Sequence, residues 1–194
     1  LEEIDFFTFA TTSNASDFGN LAIAVGYNSA LSNQTRGVCV GGRGGSPLAP
    51  TDHVQTITIA STGNATDAGD LTVSRIGLGA LASPTRGVIG GGYNSPASPQ
   101  VNYNTMDFVT IASTGNAIDF GDMSDVKRLH GAVSNDIRAV FGGGMINSSP
   151  SYTNSMNFVT IATTGNGIDF GDIPRSDGFA YTTGASDSHG GLAE

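Results

Sequence analysis

Apolar and polar residues alternate over short stretches of this chain, and glycine, asparagine or proline interrupts them every few positions. In the run Met106–Ala112, Val109 and Ile111 alternate with Phe108, Thr110 and Ala112, a period of two with β-branched residues on one face. Ser113, Thr114, Gly115 and Asn116 follow, and Gly and Asn tolerate the positive φ that tight turns need. A second short segment through Ile118 and Phe120 closes at Gly121 and Asp122. Elsewhere Leu71 opens a mostly apolar run with two glycines, a turn falls at Ser83 and Pro84, and Arg86 begins another apolar segment that ends in Gly90, Gly91 and Gly92. The pattern predicts short strands joined by tight turns, with no helical periodicity beyond about two turns.

The same pattern recurs. TFATTSNASDFGN from Thr8 returns as TIASTGNATDAGD from Thr58, TIASTGNAIDFGD from Thr110 and TIATTGNGIDFGD from Thr160, at offsets of 58 − 8 = 50, 110 − 58 = 52 and 160 − 110 = 50 residues. A glycine landmark follows three of the copies, in TRGVCVGG from Thr35, TRGVIGGG from Thr85 and IRAVFGGG from Ile137, and a weaker version, DSHGG from Asp187, follows the fourth. From Asn20, Asp70 and Asp122 to Arg36, Arg86 and Arg138 is 16 residues each time, so repeat length varies only after the glycines. Residues 1–194 therefore read as a single repeat domain with units starting near residues 4, 54, 106 and 156.

Three to four strands cannot bury both faces alone, so the units must stack. Radial stacking limits exposed sheet edges and predicts an all-β propeller. The repeat resembles the kelch repeat: a Gly pair ends one strand (Gly41-Gly42, Gly91-Gly92, Gly143-Gly144), a variable loop follows, then N-x-x-D/N-F-V-T (Asn104 to Thr110, Asn154 to Thr160), then a run to a basic residue (Arg75, Lys127). The Tyr and Trp usual in kelch repeats are missing from their places. The wording TIASTGNAxDFGD is similar to repeats in structural proteins of marine bacteriophages. These resemblances imply a propeller fold and a virion or tail-associated role at an extracellular surface.

The chain opens at the third strand of a unit and closes after a glycine landmark. One half, three whole units and one half make four blades, with the terminal strands sharing one blade. On this reading the strand near Phe6 to Ala10 pairs in the same blade as the segment near Phe179 to Thr183. The competing reading is an arc of a larger propeller. Leu1 stands where an initiator Met would, so processing or further upstream residues are expected.

Composition narrows function more than fold. With 8 Lys+Arg against 17 Asp+Glu, the net charge is 8 − 17 = −9, and Lys127 is the only lysine. Phosphate neutralisation needs clustered cations, so nucleic acid is not an expected partner. No run approaches 18 apolar residues, which argues against membrane insertion by a helix. The single cysteine, Cys39, stands in the column of Ile89 and Phe141 and reads as a small buried apolar residue.

Several residues carry candidate chemistry. Asn64, Asp67 and Asp70 recur as Asn116, Asp119, Asp122 and as Asn166, Asp169, Asp172. Oxygen ligands at this spacing suit Ca²⁺, but the D-x-D-x-D-G order of an EF-hand is missing, and Asx side chains commonly serve turns. Gly77 to Ala82 fits the dinucleotide pattern G-x-G-x-x-A, yet a strand follows it where a helix N-terminus is required. His53, His130 and His189 occupy unrelated repeat positions without H-x-x-x-H spacing. Arg36, Arg86 and Arg138 recur and so read as packing between units. The segments after the glycines vary most and collect Arg43, His53, Tyr93, Asn94, Tyr103, Tyr152 and Asn154, residues suited to polar recognition such as glycan contact.

These readings converge on a cofactor-free, non-enzymatic binding or structural module, binding a host surface glycan or another virion protein, as in a tail-fibre receptor-binding domain, with oligomerisation compatible. The alternatives are a glycan-active propeller enzyme using a central channel, which would need acid/base or metal residues from several blades, and a purely architectural repeat domain.

Overall fold

The computed structural model describes residues 2–95, 100–146, 152–174 and 178–184. Among these the chain forms seventeen strands in five antiparallel sheets and no helix. The strands are β1 (Glu3–Phe6), β2 (Ser16–Asn20), β3 (Val25–Gly26), β4 (Ser29–Ser32), β5 (Arg36–Val40), β6 (Arg43–Gly44), β7 (Ala49–Pro50), β8 (His53–Thr58), β9 (Thr66–Asp70), β10 (Gly79–Ala82), β11 (Arg86–Gly90), β12 (Thr105–Thr110), β13 (Ile118–Asp122), β14 (Gly131–Ser134), β15 (Arg138–Gly142), β16 (Ser155–Thr160) and β17 (Ile168–Asp172). Three sheets share one four-stranded plan, β4-β5-β8-β9, β10-β11-β12-β13 and β14-β15-β16-β17. β1 and β2 form the matching outer pair of a fourth, and β3-β6-β7 is a small satellite. Val109 and Val159 lie within strands, as the alternation predicted, while Ile111 and Ile161 fall one residue past the strand ends.

Between neighbouring sheets lie two apolar cores. Leu31, Val38, Val40 and Val54 of one sheet meet Ile89, Val109 and Ile111 of the next. Leu81, Val88, Met106 and Phe120 meet Phe141, Val159 and Ile161 in the same way. In both, the inner two strands send a Leu and a Val into the interface (Leu31 and Val38, Leu81 and Val88). Beside β1 no such strands stand among the described residues, and a groove of about 590 Å³ is left, lined by Ile4, Leu21, Val25, Ala30, Cys39 and Ile57. Cys39 is half-buried there, not enclosed as its column predicted, and accepts a hydrogen bond from Asn28 Nδ2 at 2.7 Å.

The landmark residues hold the units together. Gly42, Gly92 and Gly144 donate their N–H groups to the carbonyls of Arg75, Lys127 and Phe179 in the following unit, at 3.0, 2.9 and 2.7 Å. Gly91 has φ +65°, and a Cβ there would collide with the Lys127 carbonyl. On the outer edge, Gly63, Gly115 and Gly165 each donate to the preceding outer strand, at Phe18, Ala68 and Phe120, all at 2.7 Å. Asn64, Asn116 and Asn166 accept from the backbone N–H of Asn20, Asp70 and Asp122 at 3.0, 3.2 and 3.0 Å. Arg36 donates to the Ile111 carbonyl and Arg86 to those of Ile161 and Ala162, so these two of the three repeated arginines bridge units, while Arg138 lies over the Phe158 ring of its own sheet.

One expected pairing does not form. Among the described residues β1 pairs with β2 alone, and neither Ala10 nor Phe179–Thr183 lies in a strand. The physical reason is position within the unit. Phe179 aligns with Arg75 and Lys127, just before the innermost strand, whereas β1 is a third strand. A second strand would have to lie between them. The DSHGG landmark lies outside the described residues.

Candidate functional site

The innermost strands converge on a cavity of about 390 Å³, lined by one segment from each unit: 27–30, 77–80, residues around 129–132, and 182–184. Tyr27, Gly77 and Leu129 of this lining and Tyr181, which precedes the lining residue Thr182, are equivalent, and all have left-handed backbones with φ of 57°, 63°, 53° and 59°. Gly77 N donates to the Tyr27 carbonyl at 3.4 Å, Leu129 N to Gly77 at 2.8 Å and Tyr181 N to Leu129 at 2.9 Å, a chain of bonds passed from unit to unit. That conformation is costly for any residue but glycine. Tyr27 and Tyr181 nevertheless occupy it with 71% and 78% of their surface exposed.

The next position holds Asn28, Leu78, His130 and Thr182. Leu78 joins an inter-sheet core, and His130 takes the corresponding place against Phe141 at 5.6 Å between ring centroids. Neither imidazole nitrogen has a hydrogen-bond partner among the described residues. Burial, with the nearby Lys127 and Arg75 charges, pulls His130 down to about 3.

Variable-loop residues stand at the same end of each sheet, because Ile76 pairs with Tyr93 and Arg128 with Met145 beside the start of each inner strand. They do not line the cavity. Arg43 lies in β6 opposite Pro50. Tyr93 lies under the Arg128 guanidinium, 4.5 Å from ring centroid to carbon, and Asn94 Oδ1 accepts from Val101 N at 2.6 Å. Tyr103 binds Gly92 and Lys127 through its backbone, and Asn154 accepts from Ile173 N. Tyr152 is 40% exposed and bridges to Met145. Of the seven, Arg43 and His53 lie in two different sheets, and the other five sit in the connections from β11 to β12 and from β15 to β16. His53 alone meets another candidate, Asp70, with Nδ1 3.6 Å from Oδ1.

The repeated aspartates do local work. Asp67, Asp119 and Asp169 accept from the N–H of Gly69, Gly121 and Gly171 two residues on, at 3.0, 3.3 and 2.9 Å. Asp70, Asp122 and Asp172 end the outer strands.

Buried polar contacts between units escaped the sequence reading. Gln55, Asp107 and Asn157 are equivalent residues of the third strands, each capturing a backbone N–H of the preceding unit, at Ile23, Thr72 and Ser124. Arg75, fully buried, donates to Asp107 at 2.7 Å, and Lys127 meets Asp125 at 3.1 Å and Ser155 Oγ at 3.1 Å. Burial pushes both cations down, opposed by Asp107 and Asp125 respectively. The signal lay in the columns, since the position of Arg75 reads Val25, Arg75, Lys127 while that of Asp107 reads Gln55, Asp107, Asn157.

No family model and no curated protein matches the chain.

Proposed function

We propose that the four units form a four-bladed propeller whose axial mouth binds a neutral saccharide, and that the protein is a non-enzymatic recognition module of a surface assembly such as a virion. The observation that carries this reading is the ring of left-handed residues, in which two exposed tyrosines take positions that glycine would fill at lower cost. A tyrosine ring offers a flat apolar face with a polar tip, which suits the mixed surface of a sugar. The net charge of −9 favours a neutral over an acidic saccharide. On this reading the groove beside β1 lies where the two inner strands of the first blade would stand. Unlike Phe120 at 2% exposure, Phe170 on β17 is 49% exposed, which marks the other side of the same seam. The virion context rests on the wording of the repeat.

A glycan array of neutral and sialylated saccharides tests the site. Selective retention of a neutral class, lost on Tyr27→Ala with Tyr181→Ala while the melting temperature holds, is the expected result. Retention of none, or binding indifferent to both tyrosines, overturns it.

A further inference from the structure

We infer that Asp52, His53 and Asp70 form a binding site for a divalent transition-metal ion of the Zn²⁺ class. One ligand atom from each lies within 4.8 Å of the others, and the His53 Nδ1 to Asp70 Oδ1 distance is 3.6 Å. Two ligands bound tetrahedrally at Zn²⁺ bond lengths of ~2.0–2.1 Å stand roughly 3.4 Å apart, so the pair already spans the edge of such a sphere. The imidazole nitrogen selects against Ca²⁺ and Mg²⁺, which take oxygen ligands, and the two carboxylates offset the charge of the ion.

The backbone holds all three residues before any ion arrives. His53 and Asp70 are cross-strand partners of β8 and β9. The Asp52 carbonyl accepts from Leu71 N at 2.7 Å, and the His53 carbonyl from Gly41 N at 2.9 Å. Asp70 is gripped by the next unit, its N–H donating to Asn116 Oδ1 and its carbonyl accepting from Ala117 N. Three protein ligands leave a fourth position for water or a ligand oxygen, and Asp70, with its side chain 50% exposed, opens it to solvent.

The repeats supply an internal control. The equivalent residues are Asn104, Thr105 and Asp122 in the third unit and Asn154, Ser155 and Asp172 in the fourth. Turn and strand geometry are satisfied there by Asn and Thr or Ser, so the fold does not require Asp and His in the second unit. In the first unit the same places hold Glu2, Glu3 and Asn20, so a histidine joined by two carboxylates occurs in the second unit alone. The inference is independent of the saccharide reading.

The experiment uses the whole chain stripped with EDTA and titrated with ZnCl₂, followed by calorimetry and thermal melting, with CoCl₂ as a spectroscopic substitute and CaCl₂ as the control ion. At a hundredfold excess over its Kd, Zn²⁺ should raise the melting temperature by roughly 5–10 °C, Co²⁺ should develop visible bands, and Ca²⁺ should do neither. The variant Asp52→Asn with His53→Thr carries the residues of the third unit, so it keeps the fold while losing both responses. Absence of a Zn²⁺ response in the parent chain, or an equal response in the variant, overturns the site.

Discussion

Arg75 Nη2 donates to Asp107 Oδ2 at 2.7 Å across the boundary between two sheets, and neither side chain has any exposed surface. The pair is completed by Thr105, whose carbonyl accepts from Arg75 Nη1 at 2.6 Å, and by Thr72, whose hydroxyl donates to Asp107 Oδ1 at 2.6 Å. The preceding boundary holds Val25 and Gln55 in the same places and needs no charge. Removing one charge strands the other where water cannot reach it, whereas removing both leaves a neutral arrangement the fold already uses.

Asp107→Asn should therefore cost about 3–5 kcal/mol in urea unfolding, as breaking a buried pair does. Arg75→Val combined with Asp107→Gln should recover most of that loss. A double variant as unstable as the single one would mean that the ion pair is irreplaceable at this boundary.

His130 sets an acid limit on stability. Its folded value of about 3 lies below the ordinary 6.5, so the unfolded chain takes up a proton that the folded chain refuses. Stability from this residue is full above pH 6.5 and is lost as pH falls toward 3, at up to roughly 1.4 kcal/mol per pH unit. His130→Leu, which copies Leu78, should flatten this dependence. Equal slopes for parent and variant in denaturant titrations between pH 6 and 5 would contradict it.

Much of this architecture was legible in the sequence, for local reasons. Turn chemistry at Ser113–Asn116 and the alternation around Val109 act over neighbouring residues, so the outer strand pairs could be read directly. Arg75 was visible as a recurring cation, but its partner lies 32 residues away on another sheet, and no periodicity links them. The left-handed residues at the axis were hidden because Tyr and Leu carry no signal for positive φ. His53 and Asp70 were each read as candidates of different kinds, but their meeting beside Asp52 was missed because adjacent antiparallel strands bring together residues 70 − 53 = 17 apart, not the i, i+4 pairs of a helix. The variable loops were located correctly, yet variability says nothing of which side chains meet.

Ring closure has its own test in two equivalent glycines. A Cβ on Gly121 would lie 2.5 Å from the Gly165 carbonyl, while one on Gly171 meets nothing within 4 Å among the described residues. Both have left-handed φ, 134° and 117°, so alanine strains either backbone similarly. If the first unit docks on β17 as later units dock on their neighbours, Gly171→Ala should cost as much as Gly121→Ala by thermal melting. A distinctly milder Gly171→Ala would indicate an open edge.

Cys39 reports on the other side of the seam. Burial pushes its thiol up despite the Asn28 hydrogen bond, which already slows thiolate chemistry. In the native chain a disulfide reagent should modify it at least tenfold more slowly than in the chain unfolded in urea. Fast labelling of the full chain would show that the groove stands empty, and protection that rises with protein concentration would assign it to a second copy.

The contact between units is directional: Gly42 reaches forward to Arg75, and Asn116 reaches back to Asp70, so every unit carries a head and a tail that differ. Such a join has no built-in stopping point, and the number of units in a circle follows from the wedge angle that each contributes. Where the inner strands converge on the cavity they present Ala30, Ala80 and Ala132, the smallest side chains a strand can present, and their bulk would limit that angle. Duplication of one unit by unequal crossing-over would preserve every join and enlarge the circle only if these residues grew with it. If the units close into a ring, its size is set in part at these three methyl groups.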